Sequence, residues 1–136
     1  ALDRIVDKGS DGYATIAMMK KASLLIDKGN FDEGLSIYLD LEKNAVDQSF
    51  RDIATILYVL NSMDKIDSEV LLRKIQPLEN SKVWQSSALE LKAFIYLKDK
   101  KIISAKEVFQ SILNLKSSPS SLSTRARNMI EYLKDK

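Results

Sequence analysis

Cysteine and histidine are both absent from this chain of 136 residues. Without cysteine the chain can form neither a disulfide nor a thiolate zinc site, and it has no thiol nucleophile. Without histidine it cannot form a Ser-His-Asp triad. We therefore expect a protein that is not an enzyme and has no catalytic, cofactor-binding or metal-binding residues.

Glycine and proline are also scarce. The chain has four Gly and two Pro, and no glycine follows Gly34. A β-rich fold needs a turn about every 8–12 residues, and such turns rely on glycine for positive φ angles. The shortage therefore argues against an all-β fold and favours an all-α one.

Neither sign of charge dominates. Lys+Arg is 21 and Asp+Glu is 19, so the net charge is +2, and the pI is about 8.7. A nucleic-acid-binding domain typically has a basic face or a pI above about 9, so we expect no nucleic-acid partner. No apolar run reaches the roughly 18 residues of a membrane span. The chain begins at Ala1 rather than Met, so we expect upstream residues to be missing.

Apolar residues recur every three to four positions along most of the chain, which is the period of an amphipathic helix. Residues 1–12 are short and polar, and we expect a truncated N-terminal segment there, followed by one domain at 13–136. The domain is predicted to contain seven helices whose short connections make consecutive helices antiparallel neighbours. The second, fourth and fifth are expected at about 31–44, 67–76 and 81–98. The first begins at Tyr13 and stops before Gly29, and the third opens near residues 47–49. The sixth follows the polar turn at Asp99 and Lys100, and the seventh begins at Pro119.

Several residues are typical of helix ends. Gly29 suits a left-handed residue after the first helix, and Asn30 with Glu33 resembles a capping box for the second. Pro77 should end the fourth helix, because proline cannot continue an interior turn. Ser118 before Pro119 is a good N-cap for the seventh. The acidic pair Asp32–Glu33 is explained by the same helix start, where negative charge is favoured, rather than by acid–base catalysis.

Two stretches of the sequence repeat each other. Gly34 corresponds to Ala105, and each lies twelve residues after another small residue, Ala22 or Ala93. Gly34 and Ala105 are 71 residues apart, which is two periods of about 35, and a period near 34 built from two antiparallel helices is typical of tetratricopeptide repeats. The pattern predicts an all-α, tetratricopeptide-like right-handed helical repeat with about three antiparallel helix pairs and a C-terminal capping helix.

The sequence also resembles the tetratricopeptide-repeat-like domain of the bacterial ancillary Sec translocon subunit type, in particular its alphaproteobacterial branch. The resemblance covers about residues 12–136 and departs from the repeat pattern at Gly34, where Ala is preferred. It depends on Gly12-Tyr13-Ala14, residues 29–34, Phe50-Arg51-Asp52-Ile53-Ala54, Pro77-Leu78, Trp84, Ser87-Ala88, Glu90 and residues 122–126.

The resemblance implies a membrane-tethered protein whose helical domain lies on the periplasmic side of the bacterial inner membrane. Its partners are then polypeptides, including the translocon and periplasmic chaperones, and it contacts the membrane only through an N-terminal anchor missing here. It implies a non-catalytic protein–protein interaction module, an accessory or chaperone-like scaffold at the export machinery. Two alternatives stay open: a cytosolic tetratricopeptide adaptor, and a helical accessory domain of an enzyme whose catalytic part lies upstream.

A partner-binding face can be predicted from the repeat. Tetratricopeptide stacks bind extended peptides on a concave surface lined by the first helix of each pair. In the register set by Ala22 and Ala93, this candidate partner-binding face consists of Ile16, Met19, Ser23, Ser87, Glu90 and Phe94.

Overall fold

A computed structural model describes residues 11–136, and over this range the protein is all-α, without strands. The first ten residues of the predicted N-terminal segment lie outside the described part. The helices are α1 (Asp11–Asp27), α2 (Phe31–Asn44), α3 (Gln48–Ser62), α4 (Ser68–Ile75), α5 (Gln85–Lys98), α6 (Ile102–Asn114) and α7 (Ser120–Leu133). A 3-10 segment, Gln76–Asn80, follows α4 directly. The predicted all-α class is confirmed.

The chain divides into two compact units, the first ending at Ser62 and the second spanning Met63–Lys136. In the first unit α2 contacts both α1 and α3. Its buried side chains include Ala22, Tyr38 and Leu41. Because three residues join α1 to α2 and the two helices are in contact, they run antiparallel.

In the second unit α6 contacts α5 and α7, while α5 also contacts α4 and the 3-10 segment. Aliphatic and aromatic side chains of α5, α6 and α7 form the core of this unit. Its fully buried members include Ala93, Ala105, Phe109, Ile112 and Ala126.

Helices α1 and α5 end in the same way. The N–H of Gly29 donates to the carbonyl of Ile26, and the N–H of Asn30 donates to that of Leu25. The pair of bonds recurs 71 residues later, from Lys100 to Leu97 and from Lys101 to Tyr96. This is the pattern of a Schellman motif, which needs a left-handed residue after the helix.

The left-handed residue differs between the two motifs. Gly29 has a φ of 89°, as its glycine predicts, whereas Lys100 adopts a φ of 62° although it has a side chain. For a residue with a Cβ this conformation costs roughly 1–2 kcal/mol. The equivalent backbone is therefore held with less strain in the first unit than in the second.

The small residues of the repeat lie where α1 and α2 approach most closely. Ala22 and Gly34 are both buried. A Cβ added at Gly34 would lie 2.6 Å from Cγ1 of Ile26 and 2.8 Å from the carbonyl oxygen of Ala22. In the second unit Ala93 and Ala105 are likewise fully buried between α5 and α6, so small residues occupy all four positions.

Asn30 is the N-cap of α2, as predicted, but its side chain makes no cap bond. The other predicted N-cap is wrong. Ser118 makes no cap bond to α7, whose N-cap is Pro119. The Ser118 hydroxyl instead donates to the carbonyl of Ile112 near the end of α6, which also accepts the backbone N–H of Leu115.

Pro77 ends α4 as predicted: the α-helix stops at Ile75, and Pro77 lies in the first turn of the 3-10 segment that follows, where its missing N–H is not needed. One predicted boundary needs correction. Helix α5 begins at Gln85 rather than near Ser81. Residues 81–84 form a turn in which the Ser81 hydroxyl oxygen accepts the N–H of Trp84.

Candidate interaction surface

Three residues of the candidate partner-binding face lie on α1. Ile16, Met19 and Ser23 are spaced by three and four residues, so they share one side of the helix. Ile16 and Ser23 are exposed and Met19 is partly exposed. All three side chains are therefore accessible in the first unit, and none belongs to its core.

The other three lie on α5 in the same arrangement. Ser87 and Glu90 are partly exposed, and Phe94 is 36% exposed. The ring of Phe94 also packs edge-to-face on Phe109 of α6, with ring centroids 5.7 Å apart and planes at 82°. One side of this ring is thus fixed by the core while the other is open to a partner.

Glu90 carries a salt bridge that the sequence did not predict. Its two carboxylate oxygens accept from Nε and a terminal nitrogen of Arg125 at 2.8 and 3.1 Å. The hydrogen bond that Arg125 donates to Glu90, followed by the charge of the Glu90 carboxylate, raises the pKa of Arg125. Two parallel bonds fix the Arg125 side chain in direction as well as in position.

The sequence position of Arg125 could have predicted that it belongs to this surface. It lies on α7 and is 35 residues from Glu90, which is one repeat period. Since α7 contacts α5 as well as α6, a residue one period after Glu90 falls beside it. Extending the predicted face to the capping helix would have included Arg125.

A second polar link lies one turn before Glu90, at the start of α5. The Ser118 hydroxyl has one proton, which it donates to Ile112 at 2.8 Å, so Ser86 must donate in the 2.8 Å bond between the two hydroxyls. Ser86 is buried. This chain of two hydrogen bonds fixes the connection that precedes α7 and therefore the placement of Arg125.

The described residues contain no group of three or more acidic side chains placed to hold a metal ion. Across residues 11–136 no helix combines the length and the apolar character that crossing a membrane requires. What α5 and α7 present together is an arginine, a carboxylate and a half-open aromatic ring. These groups can form hydrogen bonds and apolar contacts with a polypeptide.

Comparison with known proteins adds no relative: neither the family models, nor the curated proteins, nor the solved structures give a match.

Proposed function

We propose that the chain is a non-catalytic protein-interaction module built from tetratricopeptide-like helix pairs and closed by α7 as a capping helix. The repeated helix ending at Gly29 and Lys100 supports this arrangement. The small residues at Ala22 and Gly34, and again at Ala93 and Ala105, support it too, because they recur at the same distance along the chain.

The observation that carries the proposal is the surface formed by Phe94, Glu90 and Arg125. An extended polypeptide exposes backbone N–H and C=O groups along its length. Glu90 can accept from such an N–H and Arg125 can donate to such a C=O, while the open side of the Phe94 ring takes an apolar side chain. Backbone groups and apolar side chains occur in every polypeptide, so this surface suits partners of varied sequence.

The resemblance to ancillary translocon subunits supports a more specific partner. We propose an extended polypeptide at the bacterial export machinery, met on the periplasmic side of the inner membrane. The translocon and periplasmic chaperones are then the neighbouring proteins. The full-length reading frame discriminates among the possibilities. An apolar segment of about 20 residues before Ala1 supports export, a charged upstream region supports a cytosolic adaptor, and a long globular one supports an enzyme fragment.

Binding of an unfolded polypeptide tests the proposed surface. The probe is a fluorescently labelled, permanently unfolded protein of mixed sequence, and its anisotropy is measured against the full chain. We expect Glu90→Arg to weaken binding about ten-fold, because the charge reversal repels Arg125 and opens the surface. Val83→Arg is the control: Val83 is 77% exposed and lies outside the face, so binding should be unchanged.

Met19→Glu tests the predicted face in the first unit in the same assay. Circular dichroism shows whether each variant keeps its helix content. Unchanged binding of Glu90→Arg and Met19→Glu, with helix content intact, would contradict the proposal. In vivo, a photo-crosslinking amino acid at Ser87 should capture translocon components or chaperones, whereas capture of cytosolic proteins alone would favour the adaptor.

A further inference from the structure

The outer side of α1 carries a shallow apolar groove bordered by lysines. Ala17, Leu24 and Leu25 form its apolar part, and Lys20, Lys21 and Lys28 its border. Leu24 is 57% exposed. We name this surface the α1 groove; it lies more than a third of a turn around the helix from Ile16, Met19 and Ser23.

The same side of α5 is covered. The position of Leu24 corresponds, 71 residues later, to Ile95, which is fully buried, and Ala17 corresponds to Ala88, also fully buried. The cover is made by α4 and the 3-10 segment, both of which contact α5. Equivalent apolar positions thus differ in exposure because one helix has a cover and the other has none within the described residues.

Polar contacts fix the cover of α5 at both ends. Lys92 of α5 forms a 3.1 Å salt bridge with Glu79 of the 3-10 segment. Asp99, just past the end of α5, accepts a 3.0 Å hydrogen bond from the hydroxyl of Ser68 at the start of α4. Lys92 corresponds to Lys21 in the α1 groove. Lys21 lies near Asp32 and Glu33 of α2 but forms no salt bridge with a described residue.

At three positions the sequence ahead of α1 differs from the segment that covers α5. The cover buries Ile75 and Leu78 and contributes Glu79. In the same register these positions correspond to Arg4, Asp7 and Lys8. Charged residues thus replace two buried aliphatic ones, and a lysine replaces the acid that would pair with Lys21.

We propose that the α1 groove docks a short, acidic, amphipathic helix supplied by another protein. The apolar side of this helix covers Ala17 and Leu24. An acidic side chain directly after its last apolar residue pairs with Lys21, just as Glu79, which directly follows Leu78, pairs with Lys92. An acidic helix is favoured because the three lysines that border the groove attract negative charge, and charge complementarity selects among partners. An amphipathic helix in an apolar groove is a common mode of recognition.

A peptide with the sequence of residues 67–80 is the probe, since it carries the residues that cover the equivalent side of α5. It is titrated in trans, up to about 1 mM, into the full isotope-labelled chain and followed by NMR. We expect chemical-shift changes centred on Ala17, Lys21 and Leu24. A peptide in which Glu79 is replaced by Lys should bind about ten-fold more weakly.

A charge swap gives the sharpest outcome. Lys21→Glu in the chain should weaken binding of the original peptide about ten-fold and restore binding of the Glu79→Lys peptide. Lys43→Glu is the matched control, because Lys43 is an exposed lysine of the same unit on α2, and it should change neither affinity.

Four results would overturn the proposal. The first is the absence of shifts in α1 at the highest peptide concentration. The second is failure of Lys21→Glu in the chain to restore binding of the Glu79→Lys peptide. The third is self-association of the chain that Leu24→Glu abolishes, which would make a second copy the occupant. The fourth is binding to anionic lipid vesicles, lost on Lys21→Glu, without binding of the acidic peptide, which would make a membrane surface the occupant. None of these assays uses Glu90 or Phe94, so they are independent of the proposed function.

Discussion

Replacing Gly34 with alanine tests how closely α1 and α2 approach. The added Cβ would lie 2.6 Å from Cγ1 of Ile26 and 2.8 Å from the carbonyl oxygen of Ala22. The Ile26 side chain can rotate away, but the carbonyl belongs to the backbone of α1, so the helices must separate by a few tenths of an ångström. The free energy of unfolding therefore falls because of overpacking.

Two opposing contributions determine how much Gly34→Ala changes the free energy of unfolding. Overpacking a close contact costs about 1–3 kcal/mol, and alanine is about 1 kcal/mol better than glycine inside a helix. We expect a net loss of about 1 kcal/mol in the free energy of unfolding. Urea unfolding followed by far-ultraviolet circular dichroism measures it.

Gly12→Ala is the matched control. A Cβ at Gly12 would lie 3.7 Å from the nearest atom of Phe50, which is an ordinary contact. This variant should be unchanged or more stable by up to about 0.5 kcal/mol. The reasoning is refuted if Gly34→Ala is itself more stable by about 1 kcal/mol, the result that helix propensity alone predicts.

Three further predictions concern single sites. Lys100→Gly should stabilise the second unit by about 1 kcal/mol, because glycine adopts positive φ without strain; urea unfolding followed by Trp84 fluorescence checks this, and a loss of stability contradicts it. Burial, and then the charge of Asp27, raises the pKa of Tyr38, so the stability from its neutral form is complete below the ordinary pKa of about 10 and is lost as the pH rises through the raised value. Tyr38→Phe should therefore lose less stability in alkali than the unaltered chain, and equal slopes between about pH 9 and 11 contradict the assignment. A double-mutant cycle on Glu90 and Arg125 should give a coupling of about 0.5 kcal/mol that shrinks with added salt, whereas no coupling at low salt contradicts a formed salt bridge.

The helices were predictable from the sequence because their ends are marked by residues with local causes. Gly29 ends α1 through its positive φ, and the three- to four-residue spacing of apolar side chains predicted α2 to within a residue. The small residues at Ala22 and Gly34 also predicted a close helix pair. These features depend on neighbours in the sequence or on one adjacent helix.

What was missed depends on more distant contacts. Lys100 occupies a left-handed position that its side chain disfavours, so only the repeat could have indicated it. Leu24 and Ile95 are equivalent aliphatic residues, yet one is exposed and the other buried, because the difference comes from α4 and the 3-10 segment rather than from either residue. The contribution of Arg125 to the candidate surface likewise depends on where α7 packs.

The serine-rich stretch before and within α7 contains residues of unequal importance. Ser117, Ser120 and Ser121 are exposed, so substitutions there should be nearly neutral and their hydroxyls remain accessible to modifying enzymes. Ser118 donates to Ile112 and accepts from the buried Ser86, and its loss leaves a buried hydroxyl without an acceptor. Among Ser117, Ser118, Ser120 and Ser121, which composition alone treats as interchangeable, mutational tolerance should therefore be lowest at Ser118.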